Sequence, residues 1–570
     1  RAHRPWIEAG FEWLCRTQNP DGGWGDTPGG PGNTAATLLV LAAAHLDHRQ
    51  TLPAFVRARR WVDGVVGPEP ADWPARLLEV YEGDRTFAVP ILVTCALAGL
   101  VRWQAVPPLP FELAALPRFL WRRLRLHVVS YALPALIGIG VLLHRHAPCG
   151  GPRYRLRERL IPRLLDVRDR LPPASGGFLE AIPLTAFVTV GLAAAGHEAH
   201  PAVDRGLAFL AEMRRSDGSW PVDRDLATWV TSLSVSALHT AGALERVPAG
   251  RIREWLAGCR MRDRHPFTGA RPGGWGWTDA PGAVPDADDT AGALLALHHL
   301  GEPPASPVIR QGVDWLLRLQ NRDGGWPTFS RGWNRLPFDR SSPDLTAHAL
   351  RALNEWREIA PNRSRRAGKR ALIYLTETQA ADGSWRPLWF GNQHTAQLSN
   401  PVYGTAQVLR ALASAASVRG PAVQRGVWYL LRQQKPDGSW GGDADSPGTI
   451  EETGAALTAL AARPAQPQPE TSEALRAGAA WLSEQVLQPG ELPAATIGLY
   501  FARLWYREAL YPVVWATQAL AEVRRAETRN RPGDTTDPQG HGNRNGKSRK
   551  NRPSRESPPG NRATDTPIDG

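Results

Sequence analysis

The chain has 570 residues, 42% of them hydrophobic, with four cysteines and a formal net charge of +12. That much apolar content in a chain of that length builds large cores in two or more domains, which excludes a wholly disordered protein. Cys15, Cys95, Cys149 and Cys259 lie far apart with no CxxC or Cys/His pairing, so their spacing suggests neither a disulfide framework nor a zinc site and fits a reducing cytosol. Arginine is spread along the whole chain instead of forming one basic stripe, which favours a membrane surface over nucleic acid as the meaning of the charge.

From the N-terminus, the sequence opens at Arg1 in an amphipathic segment already under way and without a signal peptide, so a processed or incomplete N-terminus is expected. The most apolar stretch, His127 to Leu143, is marginal in length for a membrane-spanning helix, contains Pro134 and is flanked by His144 and Arg145. A buried helix is the expectation there. From about Glu527 to Gly570 the residues are Arg, Asn, Gly, Pro, Ser and Thr with almost nothing apolar, which predicts a disordered basic tail.

Between these ends one phrase recurs. It reads Gln18-Asn-Pro-Asp-Gly-Gly-Trp24, Ser216-Asp-Gly-Ser-Trp220, Gln320-Asn-Arg-Asp-Gly-Gly-Trp326, Gln379-Ala-Ala-Asp-Gly-Ser-Trp385 and Gln434-Lys-Pro-Asp-Gly-Ser-Trp440. Weaker copies at Gly176-Gly177-Phe178 and Gly273-Gly274-Trp275 fill gaps, so from Phe178 onward the aromatic returns every roughly 40 to 60 residues, the range of helical-pair repeats. Each copy ends a helix with a charged face and bulky apolar residues at helical spacing, such as Gln311-Gly-Val-Asp-Trp-Leu-Leu, and the glycines stop that helix. A second helix follows after a loop, opened by Thr and rich in Ala and Leu, as in Thr290-Ala-Gly-Ala-Leu-Leu-Ala-Leu and Thr405-Ala-Gln-Val-Leu-Arg-Ala-Leu. An outer amphipathic helix alternating with an inner, small and apolar one predicts an all-α fold of two α/α-barrel domains. The expected division is an N-terminal barrel over 1–224, a catalytic α6/α6-type barrel over 225–526 and the tail over 527–570.

If the Thr marks the entrance of each inner helix, the residue two positions earlier has equivalent geometry in every repeat: Trp229, Asp288, Asp344, Tyr403 and Glu451. These side chains are expected to converge on one cavity. Asp286, Asp288 and Asp289 crowd three carboxyls into four residues, and mutual repulsion with partial burial raises the proton affinity of one of them. Acidic residues before a helix also serve as caps, where the helix N-terminus lowers their pKa, and closely spaced Asp residues also hold hard cations. The cluster alone leaves all three readings open. His348 lies four residues after Asp344 on one helix face, and an imidazolium so placed could hydrogen-bond Asp288 and make its proton more available.

Of the 23 tryptophans, Trp24, Trp220, Trp326, Trp385 and Trp440 are explained by burial in the repeat turns. Trp229, Trp277, Phe329, Trp389 and Tyr506 fall outside that role and are expected to face a carbocation, each contributing ~1–2 kcal/mol of cation–π attraction in a dry site.

The Gln-x-x-Asp-Gly-[Gly/Ser]-Trp repeats resemble the QW motifs of triterpene cyclases, and Asp286-Ala-Asp288-Asp289-Thr290-Ala is similar to the DxDDTA signature of squalene-hopene cyclases. Asp344-Leu-Thr-Ala-His348, Tyr403-Gly-Thr405 and Pro272 to Trp277 also resemble segments of that family, and the resemblance covers about residues 1 to 525. It implies an isomerase (intramolecular transferase) in which Asp288 protonates the terminal alkene of squalene or a similar linear isoprenoid to give a hopene-like product. Asp286 and Asp289 would tune Asp288, His348 would polarise it with Asp344 orienting the imidazole, and Tyr403 would assist through a bound water and reprotonate the acid. Trp229, Trp275, Trp277, Phe329, Trp389 and Tyr506 would line the cavity, with no metal or organic cofactor.

The implied partners are the isoprenoid lipid, a membrane surface and a second copy of the chain in a homodimer, with no nucleic acid; the location is the cytoplasmic side of a membrane, peripheral or monotopic. The apolar and basic stretch Pro107 to Leu126 is the candidate membrane contact. The chain departs from the family in the longer loop between Trp389 and Tyr403, in Gly282-Ala283-Val284 where aromatics are usual, in Leu499 and Arg503 where rings are expected, and in lacking the first repeat. Competing readings are a class II cyclase of shorter prenyl substrates or prenyl diphosphates and a non-catalytic helical-repeat binding protein. A prenyltransferase β-subunit needs an Asp, Cys, His zinc set that the scattered cysteines do not offer.

Overall fold

Each repeat folds as expected from its grammar, and the reason is visible in its hydrogen bonds. In the computed structural model, which describes residues 3–117, 120, 133–165, 173–266, 268–331, 339–414, 420–462, 468–494, 496–499 and 503–529, the Asp-Gly turns join an outer helix to the inner helix that follows it. The turn Trp donates its Nε1–H to the carbonyl ten residues back, at 2.6 to 3.0 Å, for Trp24, Trp220, Trp326, Trp385 and Trp440. The backbone N–H of the aromatic residue donates to the Thr of the inner helix: Trp24 to Thr37, Phe178 to Thr185, Trp275 to Thr290, Trp326 to Thr346, Trp385 to Thr405 and Trp440 to Thr453, all at 2.9 to 3.0 Å. The repeat Gln bridges forward: Gln379 Nε2 donates to the Gly383 carbonyl and to that of Ala422, in the next outer helix. Gly383 holds φ +93°, and a Cβ there would come within 2.5 Å of the Arg425 carbonyl, so the turn docks on the next outer helix by direct backbone approach. One phrase thus ties three helices together.

In the C-terminal half the inner helices Ala227–Ala241, Ala287–His299, Pro343–Glu355, Pro401–Ser414 and Ile450–Ala461 pack each against the next. Leu510–Arg529 completes the ring, meeting Gly454 through the Trp515 backbone and donating from Arg525 to the His239 carbonyl at 3.1 Å. The helices Ala249–Gly258, Pro307–Leu319, Pro361–Glu377, Pro421–Gln433 and Pro469–Leu487 lie outside them. Burial matches the two roles. Helix Ala287–His299 is buried almost throughout because its residues are small, whereas Pro307–Leu319 buries only Ile309, Gly312, Val313, Trp315, Leu316 and Leu319, one stripe at helical spacing.

The N-terminal half repeats the plan with inner helices Thr34–Leu46, Arg85–Leu97, Leu133–His146 and Ile182–Leu192 in succession. Its last turn docks backwards: a Cβ on Gly218 would come within 2.5 Å of the Ala9 carbonyl, and Arg16 Nη2 donates to the Asp217 carbonyl at 3.1 Å. The helix Arg4–Arg16 therefore takes the place that the next outer helix takes in the other copies, and the array turns back on its own beginning. Two separate hydrophobic cores result, one built from residues between Phe11 and Val203 and the other from residues between Trp229 and Ala526. A short antiparallel hairpin, Ile497–Leu499 with Leu504–Tyr506, precedes the last helix, and the Trp505 N–H donates to Asp26 Oδ2 at 2.9 Å.

Of the apolar stretch His127 to Leu143, the part from Leu133 onward is a helix with Ile137 to His144 buried, and residues 127–132 lie outside the described residues. No helix among the described residues is long and apolar enough to cross a membrane. Of the candidate membrane segment, residues 118–119 and 121–126 lie outside the described residues, as does the tail from 530; Phe111, in the described part, is fully buried and packs on Gly140.

Candidate active site

The inner helix Ala287–His299 begins at Asp286, whose side chain caps it by accepting the Asp289 N–H at 2.8 Å. The capping reading of the cluster is therefore correct for Asp286, and the cap aims the next residues: Asp288 in the first turn presents its carboxyl to His348 of the neighbouring helix Pro343–Glu355. His348 Nδ1 and Asp288 Oδ1 are 2.7 Å apart, with both side chains 14% exposed. His348 has room because Gly292 faces it; a Cβ there would stand 3.5 Å from the imidazole Cε1.

The acids around this pair are drier than the pair itself. Burial pushes the Asp286 carboxyl up to about 7. Burial and the neighbouring Asp286 charge hold Asp289 well above the usual carboxylate range, and its Oδ1 has no hydrogen-bond partner. Burial likewise pushes Asp344 up to about 7, opposed by a hydrogen bond from Ser342 Oγ. Neutralising Asp286, Asp289 and Asp344 in this way removes competing negative charge from around Asp288. A hydrogen bond from His348 to one oxygen of Asp288 leaves the other oxygen to carry a proton toward the cavity, and stabilises the carboxylate left behind when that proton is given up.

Asp286, Asp288 and Asp289 open onto a cavity of about 390 Å³, walled otherwise almost entirely by apolar side chains from both helical arrays. Trp229, Trp277, Phe329 and Trp389 all line it. Phe329 stands edge-on to Trp389 at 5.5 Å and to Trp277 at 6.3 Å, while Trp229 stacks on Tyr511 at 5.0 Å and on Phe390 at 6.0 Å. Such mutual packing fixes ring faces before any guest arrives.

Three sequence expectations are corrected. Trp275 does not line the cavity: it donates Nε1–H to the Leu256 carbonyl at 2.7 Å and its backbone N–H to Thr290, so it is a repeat-turn Trp, fully buried against Gly312. Asp344 does not orient His348: its Oδ1 is taken by Ser342 Oγ and its Oδ2 has no partner, because the helix N-terminus turns the carboxyl back toward the residue before it. Tyr403 does not line the cavity: it stands edge-on to Phe390 at 5.2 Å and to Trp515 at 6.2 Å, and Phe390 takes the place on the wall. The side chain of Tyr506 lies outside the described residues.

Sequence reasoning missed Phe87, Leu179, Leu184, Phe187 and Phe390 on the apolar wall, and Asp26, Tyr81 and Asp223 among its polar members. The two acids follow repeat turns, Asp26 after Trp24 and Asp223 after Trp220, which is the one signal that could have marked them; nothing in the repeat marks Tyr81.

The model of the squalene-hopene cyclase C-terminal domain matches residues 226–525, and that of the N-terminal domain matches residues 4–162. The chain is 28% identical to a copalyl diphosphate synthase of Streptomyces cyslabdanicus over 91% of this chain and 88% of that one. It is 25% identical to a squalene-hopene cyclase of Bradyrhizobium diazoefficiens, over 91% of this chain and 87% of the other. With a terpene cyclase-glycosyl transferase fusion protein of Humicola fuscoatra the identity is 27% over 83% of this chain, which spans only 42% of that protein's length. With both domain models matched, the C-terminal one over more than half of the chain, the chain belongs to the squalene-hopene cyclase family of class II terpene cyclases.

Proposed function

We propose that the protein cyclises squalene or a similar linear isoprenoid to a hopene-like polycycle, with Asp288 as the proton donor. The observation that carries this reading is the 2.7 Å contact of Asp288 with His348 at the edge of an aromatic cavity. The terminal alkene's π pair takes the proton of Asp288 and forms a C–H bond, which leaves a tertiary cation for the next alkene to attack. His348 holds the Asp288 carboxylate that results, and Trp229, Trp277, Phe329 and Trp389 offer ring faces to the successive cations. The apolar walls keep water from ending the cascade early. A lipid substrate and a net charge of +12 together support work at an anionic membrane surface.

A second reading, a cyclase of prenyl diphosphates, is favoured by the copalyl diphosphate synthase among the relatives. The charge of the cavity supports the hydrocarbon instead: Arg503 is its one cation among the described residues, against Asp26, Asp223, Asp286, Asp288 and Asp289. A diphosphate would find only that one cation to pair with. Detergent-solubilised protein is incubated with squalene and, separately, with a prenyl diphosphate, and the products are identified by mass spectrometry. Polycyclic product from squalene, abolished in Asp288→Asn, is expected; turnover of the diphosphate alone reverses the order, and unchanged product formation by Asp288→Asn refutes the proton-donor role.

A further inference from the structure

A cyclisation begun by a proton must also end by losing one or by taking water, and the cavity wall holds five carboxyl groups among the described residues. Four already have a place in the initiating cluster or in the scaffold. Asp288 is bonded to His348, and Asp286 caps its helix beside Asp289 in the cluster already described. Asp26 accepts from Asn33 Nδ2 at 2.9 Å through Oδ1 and from the Trp505 N–H at 2.9 Å through Oδ2, on a segment that docks the hairpin. Asp223 has no side-chain partner among the described residues, yet it reaches the cavity.

We infer that Asp223 is the base that ends the reaction, taking a proton from a carbon adjacent to the last cation so that the product leaves as an alkene. The inference rests on the proton-initiated cyclisation proposed above. The balance is simple: a C–H bond breaks, its electron pair becomes the new C=C bond, and the proton goes to an Asp223 carboxylate oxygen. The proton gained from Asp288 at the start is matched by the one given up at the end.

The surroundings of Asp223 suit this task. It is half-buried on the cavity wall, and burial, with the Asp225 and Glu180 charges, pushes its carboxyl up to about 7, so that near neutral pH it can both accept a proton and release it. Asp223 lies in the segment before the helix Ala227–Ala241, whereas Asp286 to Asp289 begin the helix Ala287–His299, so the groups proposed for the proton's entry and exit stand on different elements. Arg224, the adjacent cation, is turned to Glu212 at 3.3 Å and Asp225 at 3.8 Å, and does not neutralise the cavity carboxyl.

The backbone holds it rigidly. Asp223 forms an antiparallel bridge with Ala181, flanked by Ile182 N–H to the Val222 carbonyl at 2.8 Å and Arg224 N–H to the Glu180 carbonyl at 2.9 Å. The opposing segment enters through Leu179 and Glu180 at φ +57° and +55°, a left-handed turn costly for residues with a Cβ. That turn is clamped by the buried Glu180 carboxyl, whose Oε1 accepts Ser175 Oγ at 2.6 Å and the Gly282 N–H at 2.8 Å. The clamp ties the base's support to the loop that leads into Asp286, so one strained turn sets Leu179 and Asp223 on the same wall.

The experiment compares wild type, Asp223→Asn and Asp223→Leu for squalene consumption and for the spectrum of products, with melting temperature as the check on folding. The expected result for both variants is a fall in consumption of less than about tenfold together with a shift of the alkene product to alcohols or incompletely cyclised alkenes. The same product spectrum as wild type in both folded variants overturns the assignment, as does a wild-type product that is an alcohol, which would make Asp223 the holder of an attacking water. A wild type that consumes no isoprenoid defeats the proposed function itself, whereas an unchanged spectrum with normal consumption defeats only the role of Asp223.

Discussion

Replacing His348 by Ala removes the one group bonded, among the described residues, to the side chain of the proposed proton donor while leaving the donor in place. The bond is 2.7 Å long, with both partners 14% exposed, so it is short, charge-assisted and only weakly screened. Hydrogen bonds to charged groups contribute about 1.5–3 kcal/mol, and the carboxylate that needs this one appears only as the proton leaves. The whole of that energy is therefore lost from the transition state, a fall in kcat of about 10- to 150-fold at 1.4 kcal/mol per tenfold. KM for squalene is expected to stay within about twofold, because His348 is not on the apolar wall that binds the hydrocarbon. The assay is steady-state formation of cyclised lipid in detergent, on protein whose melting temperature matches wild type. A kcat unchanged in a folded His348→Ala variant would refute the argument, and a loss confined to KM would move His348 from chemistry to binding.

The tryptophan pair 275 and 277 separates repeat architecture from cavity. Trp277→Ala is expected to change the ratio of products, whereas Trp275→Phe, which loses the Nε1–H bond to Leu256, is expected to lower the melting temperature with the product ratio intact; equal product changes in both would contradict the placement. Thr405→Val leaves the buried N–H of Trp385 without an acceptor and is expected to cost about 1–3 kcal/mol, read as a lower denaturation midpoint. Asp344 is raised to about 7 in the folded protein against an ordinary value of 3.8, so the folded state binds the extra proton between those values and stability falls as pH rises through them. Asp344→Asn is accordingly expected to flatten the decline in melting temperature between pH 5 and pH 8 and to be more stable than wild type at the upper end; a steeper decline would show that Asp344 is ionised when folded.

Much of the fold was legible because its determinants are local. The turn Trp, the carbonyl ten residues before it and the Thr 13 to 20 residues after it lie within one helical pair, so the repeat phrase carries its own hydrogen bonds. The same register carried Asp288 and His348 to adjacent inner helices, where neighbouring copies of one unit must bring equivalent entrances together. Register does not decide which way a side chain turns. Asp344 shares the slot of Asp288, yet Ser342 at the helix N-terminus captures its carboxyl, a contact within two residues that the spacing of repeats does not encode.

The sequence by itself determined the helical repeats, the inner and outer faces and the pairing of Asp288 with the His348 imidazole, since periodic burial and short-range hydrogen bonds are written within a few tens of residues. Only the tertiary structure decided which aromatics face the cavity and which acid stands free in it. Trp277 and Phe329 meet Phe87 and Leu179 there, and Asp223 is set by the clamp between Glu180 and Gly282, 102 residues apart. Such contacts arise only when two closed arrays are brought together, because the position of a wall residue then depends on the packing of every helix between.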